Sequence, residues 1–382
     1  MAFVNKNIAL AVAALAACGS AAATEDYDLR YAPGYGGADM SAPFEGGWVF
    51  QAHAYFYSGN VRGVQTVSTD LTPALSAALH QTLPANSAGA ITTIHTNDQI
   101  NVNGVLPRLS YMSATTFLGA TIGGTVLLPL VNKGSEASVH GISTTLTGIA
   151  ATLPPANQAA LLALVNGGAT TQAAALTAAN SNKTWGMGDL EFSPILRWST
   201  EASQTLFVLT TVAPTGDYDQ NRAANPSAGK FWTFRPAVQF SYIGDGWDMG
   251  SRVAYSYNTR NTETHYKSGS YVNVDLAAMK SVSESTRVGV SAYAVDQLNK
   301  DTSTMTPTQC VAQYGGVAPC TVIEARQAAT LDEKGRVFGI GPEVAYIHGA
   351  SDYLLEGRVM REFGTQTRPK GFTAIVSLSK PF

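Results

Sequence analysis

Charged and polar side chains recur at every second position in several short stretches of the chain. Asp189, Glu191 and Arg197 are separated by even spacings, as are Arg235 and Gln239. Because successive side chains of a β-strand point to opposite faces, residues of one parity share a face. Opposite charges on neighbouring strands could then form ion pairs, and structural pairing is favoured over direct contact with a substrate. The candidate polar network comprises Gln51, His53, Asp189, Glu191, Arg197, Arg235, Gln239, Asp248, Arg252, Asp275, Glu343, Glu356 and Arg358.

Catalytic chemistry is poorly represented in the sequence. The six histidines are scattered, and no GxSxG elbow, HExxH helix or Cys/His cluster is present. His53 shares the parity of the charged residues, and a hydrogen-bonded structural histidine is the favoured interpretation. The glycine-rich residues 34–37 lack the strand and helix that flank a phosphate loop. We therefore expect no enzyme, no cofactor and no metal site, and a hydrolase is the least favoured function.

The overall composition restricts the class of protein further. The chain has 382 residues, of which 13% are charged and 45% hydrophobic, with a net charge of -3. A soluble domain carries about 25% charged residues. A nucleic-acid-binding protein would show a basic excess, and a disordered chain a large net charge. The charge deficit therefore indicates a surface that faces something other than water.

The N-terminus has the features of an export signal. Residues 1–23 combine Lys6, an apolar run over residues 8–17 and small residues before the expected cleavage point. A lipoprotein signal remains open as an alternative, with Cys18 as the lipidated residue. We expect the following residues, 24–45, to form a periplasmic segment.

Two further cysteines, Cys310 and Cys320, flank a short loop. Exported proteins meet oxidising conditions, so we expect a disulfide between them.

Membrane helices do not explain the charge deficit. After residue 23, no uninterrupted apolar stretch reaches the roughly 18 residues that a transmembrane helix needs. The best candidate, residues 117–131, is interrupted by three glycines and Pro129. A closed β-barrel is the other structure that satisfies every backbone polar group in lipid.

Alternation of apolar and polar residues supports a barrel. Residues 190–198 are a clear example, since Leu190, Phe192 and Trp198 have one parity and the charged residues have the other, with Ile195 an exception. We predict an antiparallel transmembrane barrel of about twelve strands over residues 46–382. The candidate strands lie near residues 48–57, 100–112, 115–131, 190–198, 203–214, 231–242, 247–258, 271–279, 287–297, 333–348, 352–364 and 372–379.

The connections between these strands alternate in length. Very short turns are expected near residues 113, 201, 244, 284 and 350, and mostly longer links lie between them, as in outer-membrane barrels. These links are expected near residues 60–98, 132–185, 215–229, 259–269, 299–332 and 365–370. The longest link, residues 132–185, is Ala-rich and expected to be partly helical; it could cap the pore, plug it or lie beside it. Three prolines inside candidate strands predict bulges or strand ends, and these are Pro194, Pro236 and Pro342.

Several local sequences carry a family resemblance. They include residues 214–219, Trp232-Thr233-Phe234, Tyr257-Asn258-Thr259, Gly335-Arg336-Val337-Phe338 and the final Pro381-Phe382. These strings resemble the outer-membrane family described as involved in the meta-pathway of phenol degradation, a transporter-like group with barrel folds. The resemblance covers most of residues 187–382, extends to residues 46–131 and is lost over the Ala-rich insertion.

This resemblance implies a role in the outer membrane of a Gram-negative bacterium. The expected function is passive uptake of small hydrophobic solutes through the barrel, with aromatic compounds as the expected class. The expected partners are outer-membrane lipid, those solutes, and the barrel-assembly machinery through the C-terminal Phe382. The alternative from another class is a structural or adhesive barrel whose long loops bind partners.

Overall fold

The fold is described by a computed structural model for residues 29–35, 46–316, 320, 331, 334–349 and 353–382. The expected signal at residues 1–23, with Cys18, lies outside these residues. So does most of the segment 24–45. Within the described part, no helix is both long enough and apolar enough to cross a membrane.

Strands dominate the described part of the chain. The strands are β1 (Gly47–Asp70), β2 (Ala88–Phe117), β3 (Ala120–Leu127), β4 (Leu130–Gly148), β5 (Asn182–Met187), β6 (Glu191–Ser199), β7 (Ser203–Val212), β8 (Thr233–Gly244), β9 (Trp247–Asn258), β10 (Tyr266–Lys267), β11 (Tyr271–Ser281), β12 (Thr286–Gln297), β13 (Thr302–Ser303), β14 (Arg336–His348), β15 (Tyr353–Gln366) and β16 (Lys370–Pro381). The helices are α1 (Thr72–Leu79), α2 (Ile149–Thr152), α3 (Pro155–Ala179) and α4 (Pro307–Tyr314).

These strands close into a barrel. β1 pairs antiparallel with β2 on one side and with β16 on the other, so the sheet returns on itself. β3 with β4, and β5 with β6, each form one interrupted wall strand, while β10 and β13 form a separate small pair. The wall therefore has twelve antiparallel strands, which confirms the predicted fold class and strand number.

The predicted alternation is present in the wall. Phe192, Val238 and Phe372 are exposed on the outer face, while the residues that follow or precede them turn inward. Ile195 and Ile375, which break the pattern in the sequence, lie on the inner side of the wall. An apolar outer face and a mixed interior are what a barrel in lipid requires.

The connections also follow the predicted alternation of short and long. At one end of the barrel, tight turns such as Leu118-Gly119 and Asp245-Gly246 join adjacent strands, and all four residues have positive φ. Two-residue hairpins of this kind match the right-handed twist of the strands they join. The longer connections, including residues 213–232 and 259–270, lie at the opposite end, which in outer-membrane barrels is the extracellular one.

The boundaries predicted for two of the long links need correction. β1 extends to Asp70 and β2 begins at Ala88, so much of the link expected near residues 60–98 is strand. The insertion expected at residues 132–185 is likewise strand until Gly148, because that stretch pairs with β2 almost residue by residue. Only residues 149–179 are largely helical.

These strand extensions build a projection beyond the barrel end. β1 continues ten residues past Asn60, where its pairing with β16 stops, and β4 continues past Ser135, where its pairing with β5 stops. Helices α1 to α3 pack on the extended sheet around a core that includes Leu71, Leu75, Ile94, Leu146 and Val165. The helices therefore have a hydrophobic core of their own, separate from the barrel interior.

The three prolines do not produce the predicted bulges or strand ends. The register is the same on both sides of Pro194, Pro236 and Pro342, and each strand continues through its proline. The bulge expectation was wrong because each proline faces outward and interrupts pairing with one neighbour only. Pairing with the other neighbour is continuous there, for example between Pro236 and Leu209.

The predicted disulfide between Cys310 and Cys320 is present in the loop after β13. Helix α4, which contains Cys310, begins with a capping box between Thr306 and Gln309. The amide of Gln313 on the same helix donates hydrogen bonds to Gln220 and to the carbonyl of Glu263. The disulfide-closed loop is thereby tied to the two neighbouring long loops.

The lipid-facing assignment leads to a stability prediction. We expect Val238→Arg to lower the free energy of unfolding in lipid vesicles by about 2 to 4 kcal/mol, because it places a charge on the lipid-facing side of the middle of the wall. The control is Gln239→Arg on the adjacent inward position, which should cost less than half as much. Urea titration of both variants in vesicles measures the difference, and equal losses would contradict the assigned faces.

Candidate functional site

Most of the predicted polar network converges inside the barrel as ion pairs. Arg358 and Glu343, on neighbouring strands, lie 3.2 Å apart with both side chains fully buried. Arg252 and Asp275 lie 3.1 Å apart across β9 and β11. These pairs lie on one side of the interior, where they fill the space between β9 and β15.

The other predicted residues also point inward. Arg235 reaches over β7 to within 3.6 Å of Glu191. Asp248 pairs with Arg287, which the network did not include. Gln51 donates to Ser379 and accepts a bond from Arg108, whereas Glu356 is buried and Gln239 lines the interior.

His53 behaves as a structural histidine. Its Nδ1 lies 2.8 Å from Ser377 Oγ, and its ring contacts Tyr35 edge-on at 4.7 Å between centroids. A histidine beside a serine is one element of a nucleophilic site, but both side chains are fully buried. The contact therefore offers no access to a substrate.

Arg197 differs from the rest of the network. It lies half-buried on the inner face of β6, and none of the ion pairs between described residues includes it. Its guanidinium therefore belongs to the interior without joining a cross-strand pair.

A second acidic centre escaped the sequence analysis. Glu362 on β15 accepts hydrogen bonds from the hydroxyls of Tyr57 and Tyr293, each at 3.0 Å, and from the backbone amide of Gly371 at 2.7 Å. Glu362 lies four positions after Arg358 on the same strand, and an even spacing places both side chains on the same face. The sequence therefore contained the information that Glu362 points inward.

The segment Leu29–Tyr35 occupies part of the barrel interior. Tyr271 donates its hydroxyl hydrogen bond to the carbonyl of Leu29, and Arg235 donates to the carbonyl of Arg30. The Tyr31 hydroxyl donates to Asp275 on β11. Wall side chains therefore bind both the backbone and the side chains of this segment, which we call the plug segment.

Arg30 makes the densest set of contacts in the plug segment. Its guanidinium lies 3.1 Å from Asp189, donates to the carbonyls of Gly229 and Phe231, and stacks 3.9 Å above the centre of the Phe231 ring. Asp189 in turn accepts hydrogen bonds from Ser227 and from backbone amides of the loop 213–232. One ion pair thus joins the plug segment to the wall and to a long loop.

For residues 29–35, this position differs from the periplasmic one expected for the segment 24–45. Residues 29–35 lie inside the barrel, because Asp189, Asp275 and Arg235 provide buried charged partners there. Nothing in the local sequence indicated this position, since the segment has neither alternation nor a recognisable motif.

An elongated cavity of about 300 Å³ lies beside the plug segment. It follows the inward positions of β2 from Ile100, towards the long-loop end, to Met112, near the short turns. Much of its lining is apolar, including Val102, Leu106, Leu127, Leu206, Val208 and Val212. None of the described residues that line it belongs to α3, so the helical insertion lies outside the cavity.

Polar groups interrupt this apolar surface at defined points. Arg108, Lys133, Arg235 and Arg252 line the cavity. They are joined there by Tyr57, which contacts Glu362, and by Tyr31 and Tyr35 of the plug segment. A mostly apolar cavity with a limited number of polar side chains suits small, weakly polar molecules. Fold and interior together define a channel-type β-barrel.

The sequence comparison identifies the family to which the chain belongs. The family described as "Putative MetA-pathway of phenol degradation" matches residues 82–378, and the chain belongs to that family. This confirms the resemblance found in the sequence. No curated protein sequence matches the chain significantly.

Solved structures match the chain over most of its length. The COG4313 outer membrane channel from Pseudomonas putida F1 is 12% identical, with a TM-score of 0.55, and the match covers 90% of this chain and 98% of that one. A CymD monoaromatic hydrocarbon channel has 8% identity and a TM-score of 0.40 over 92% and 94% of the two chains. A Pseudomonas aeruginosa FadL homologue has 8% identity and a TM-score of 0.38 over 90% and 92%.

Proposed function

We propose that this protein is an outer-membrane channel for passive uptake of small hydrophobic compounds, with aromatic molecules as the main substrates. The observation that carries the proposal is the apolar cavity along β2, which extends through much of the barrel interior. Membership of the phenol-degradation family supports aromatic substrates. Such transport would need no energy source, because the solutes would move down their own concentration gradient.

The two sides of the interior would have different roles. The ion pairs between β9 and β15 fill one side and hold the wall rigid, because breaking a buried pair is costly. The opposite side, along β2, β3, β6 and β7, leaves an apolar surface against which an aromatic ring can slide. Arg108 or Tyr57 could hydrogen bond to a phenolic hydroxyl along the way.

Uptake by cells tests the proposal. A deletion strain carrying the wild-type gene should accumulate radiolabelled phenol or toluene faster than the deletion strain alone. A hydrophilic sugar of similar mass serves as the control solute. Equal uptake of the aromatic compounds with and without the gene would refute a channel role.

A cavity-blocking substitution tests the route. We expect Leu206→Trp to lower aromatic uptake several-fold, because its indole would project into the cavity. Phe207→Trp is the matched control on the neighbouring lipid-facing position, and its uptake should equal wild type. Both variants must show wild-type heat-dependent mobility on gels, and unchanged uptake by a folded Leu206→Trp barrel would exclude this route.

A further inference from the structure

Three basic side chains lie close together on the outer surface of the barrel near its long-loop end. Arg62, Arg361 and Lys370 belong to β1, β15 and β16, which are adjacent in the wall. Arg361 pairs with Phe372 and Lys370 pairs with Asn60. Lys370 is two positions from Phe372, the partner of Arg361, and Arg62 is two positions from Asn60, the partner of Lys370. Such diagonal neighbours in a sheet lie about 7 to 8 Å apart. We call these three residues the basic patch.

The basic patch faces away from the interior. Its residues have the same parity as Phe56, Phe363 and Phe372, which are all exposed on the outer face. All three basic side chains are themselves exposed. They therefore do not contribute to the cavity.

The basic patch lies where the apolar outer face of the barrel stops, at the long-loop end. On β16 the outward residues are Leu378, Val376, Ala374 and Phe372 before Lys370 is reached. On β1 the last apolar outward residue of the wall is Phe56, and Ser58, Asn60 and Arg62 follow. This boundary lies at the end with long loops, where the polar heads of the outer lipid leaflet would lie.

The charge of the patch is not balanced by neighbouring carboxylates. None of the ion pairs between described residues includes Arg62, Arg361 or Lys370. The outward positions of β15 and β16 contain no Asp or Glu. Arg361 pairs with Ile340 on one neighbouring strand and with Phe372 on the other, so its outward neighbours are apolar rather than acidic.

We propose that the basic patch binds the phosphate groups of lipid A, the anionic glycolipid of the outer leaflet. Guanidinium groups bind phosphate oxygens through paired hydrogen bonds, and the ammonium of Lys370 adds a point charge. The neighbouring phenylalanines would contact the acyl chains below the phosphates. This inference rests on the proposed location in the outer membrane but not on the identity of the transported solute.

Native mass spectrometry of the full-length protein in detergent tests the patch. Titration with bisphosphorylated lipid A should give a bound complex, and dephosphorylated lipid A should not compete. Arg361→Gln/Lys370→Gln should bind about 30-fold more weakly. The matched control is Lys280→Gln/Lys380→Gln, which removes two exposed basic residues near the short-turn end and should bind like wild type.

Three outcomes would overturn the proposal. The first is equal lipid A binding by a folded Arg361→Gln/Lys370→Gln variant, judged by heat-dependent gel mobility. The second is equal binding of dephosphorylated lipid A. The third is equal binding of phosphatidylglycerol, which would indicate general attraction to anionic lipid. Aromatic uptake is measured separately and should be unchanged in the variant, so failure of transport in the wild type would leave the lipid result standing.

Discussion

Replacing Arg30 with alanine is expected to convert the barrel from a narrow channel into one of clearly higher conductance. The substitution removes the ion pair with Asp189 and two hydrogen bonds to loop carbonyls. Loss of one partner from a buried pair costs about 3 to 5 kcal/mol. If this cost destabilises the bound position of the plug segment relative to its released position, the ratio of plugged to unplugged barrels drops by more than about 100-fold.

Single-channel recording in planar bilayers measures this effect. Arg222→Ala is the control, because Arg222 forms an exposed ion pair with Asp219 in the same long loop. Exposed pairs contribute little, so its conductance should match wild type. Asp189→Asn should raise conductance in the same direction as Arg30→Ala. Wild-type conductance in both interior variants would show that the plug segment is held by other contacts or does not limit flow.

Glu343→Ala is expected to be the most destabilising single substitution in the wall. It removes the carboxylate that lies 3.2 Å from the guanidinium of Arg358, whose side chain has 0% exposure. It also removes the acceptor of the Ser291 hydroxyl. Removing one partner of a buried ion pair costs about 3 to 5 kcal/mol.

The double variant Glu343→Leu/Arg358→Met separates charge from packing. Replacing a whole buried pair by apolar residues of similar size is often neutral or stabilising, so this variant should recover most of the loss. Glu284→Ala, in an exposed short turn, should change stability by less than about 0.5 kcal/mol. Urea unfolding in vesicles provides all three values. A loss below about 1 kcal/mol for Glu343→Ala would mean that water or another anionic group compensates Arg358.

The outer face of the barrel could be predicted from local sequence because its signal has a period of two. Residues such as Phe192, Val238 and Phe372 are separated from polar neighbours by one position, and lipid selects that pattern on every strand. The inward parity of Arg252, Asp275, Glu343 and Arg358 followed from the same rule.

Loop boundaries were harder to predict for a related reason. Above the lipid, the extensions of β1, β2 and β4 have polar residues on their outer face, so they lose the contrast that marks a membrane strand. Their pairing becomes apparent only when the strand register of the barrel is extended beyond the lipid, towards the long-loop end. The Ser- and Thr-rich stretch before Gly148 was therefore assigned to the insertion.

The sequence by itself determined the class of fold, the face of each wall strand that meets lipid and the disulfide of the loop after β13. These depend on alternation and on close spacing along the chain. Only the tertiary structure decided which charges pair and where Leu29–Tyr35 lie. Arg30 contacts Phe231 across 201 positions of sequence and Tyr31 contacts Asp275 across 244. Such contacts exist only after β1 has closed against β16, because closure creates the interior that buries them.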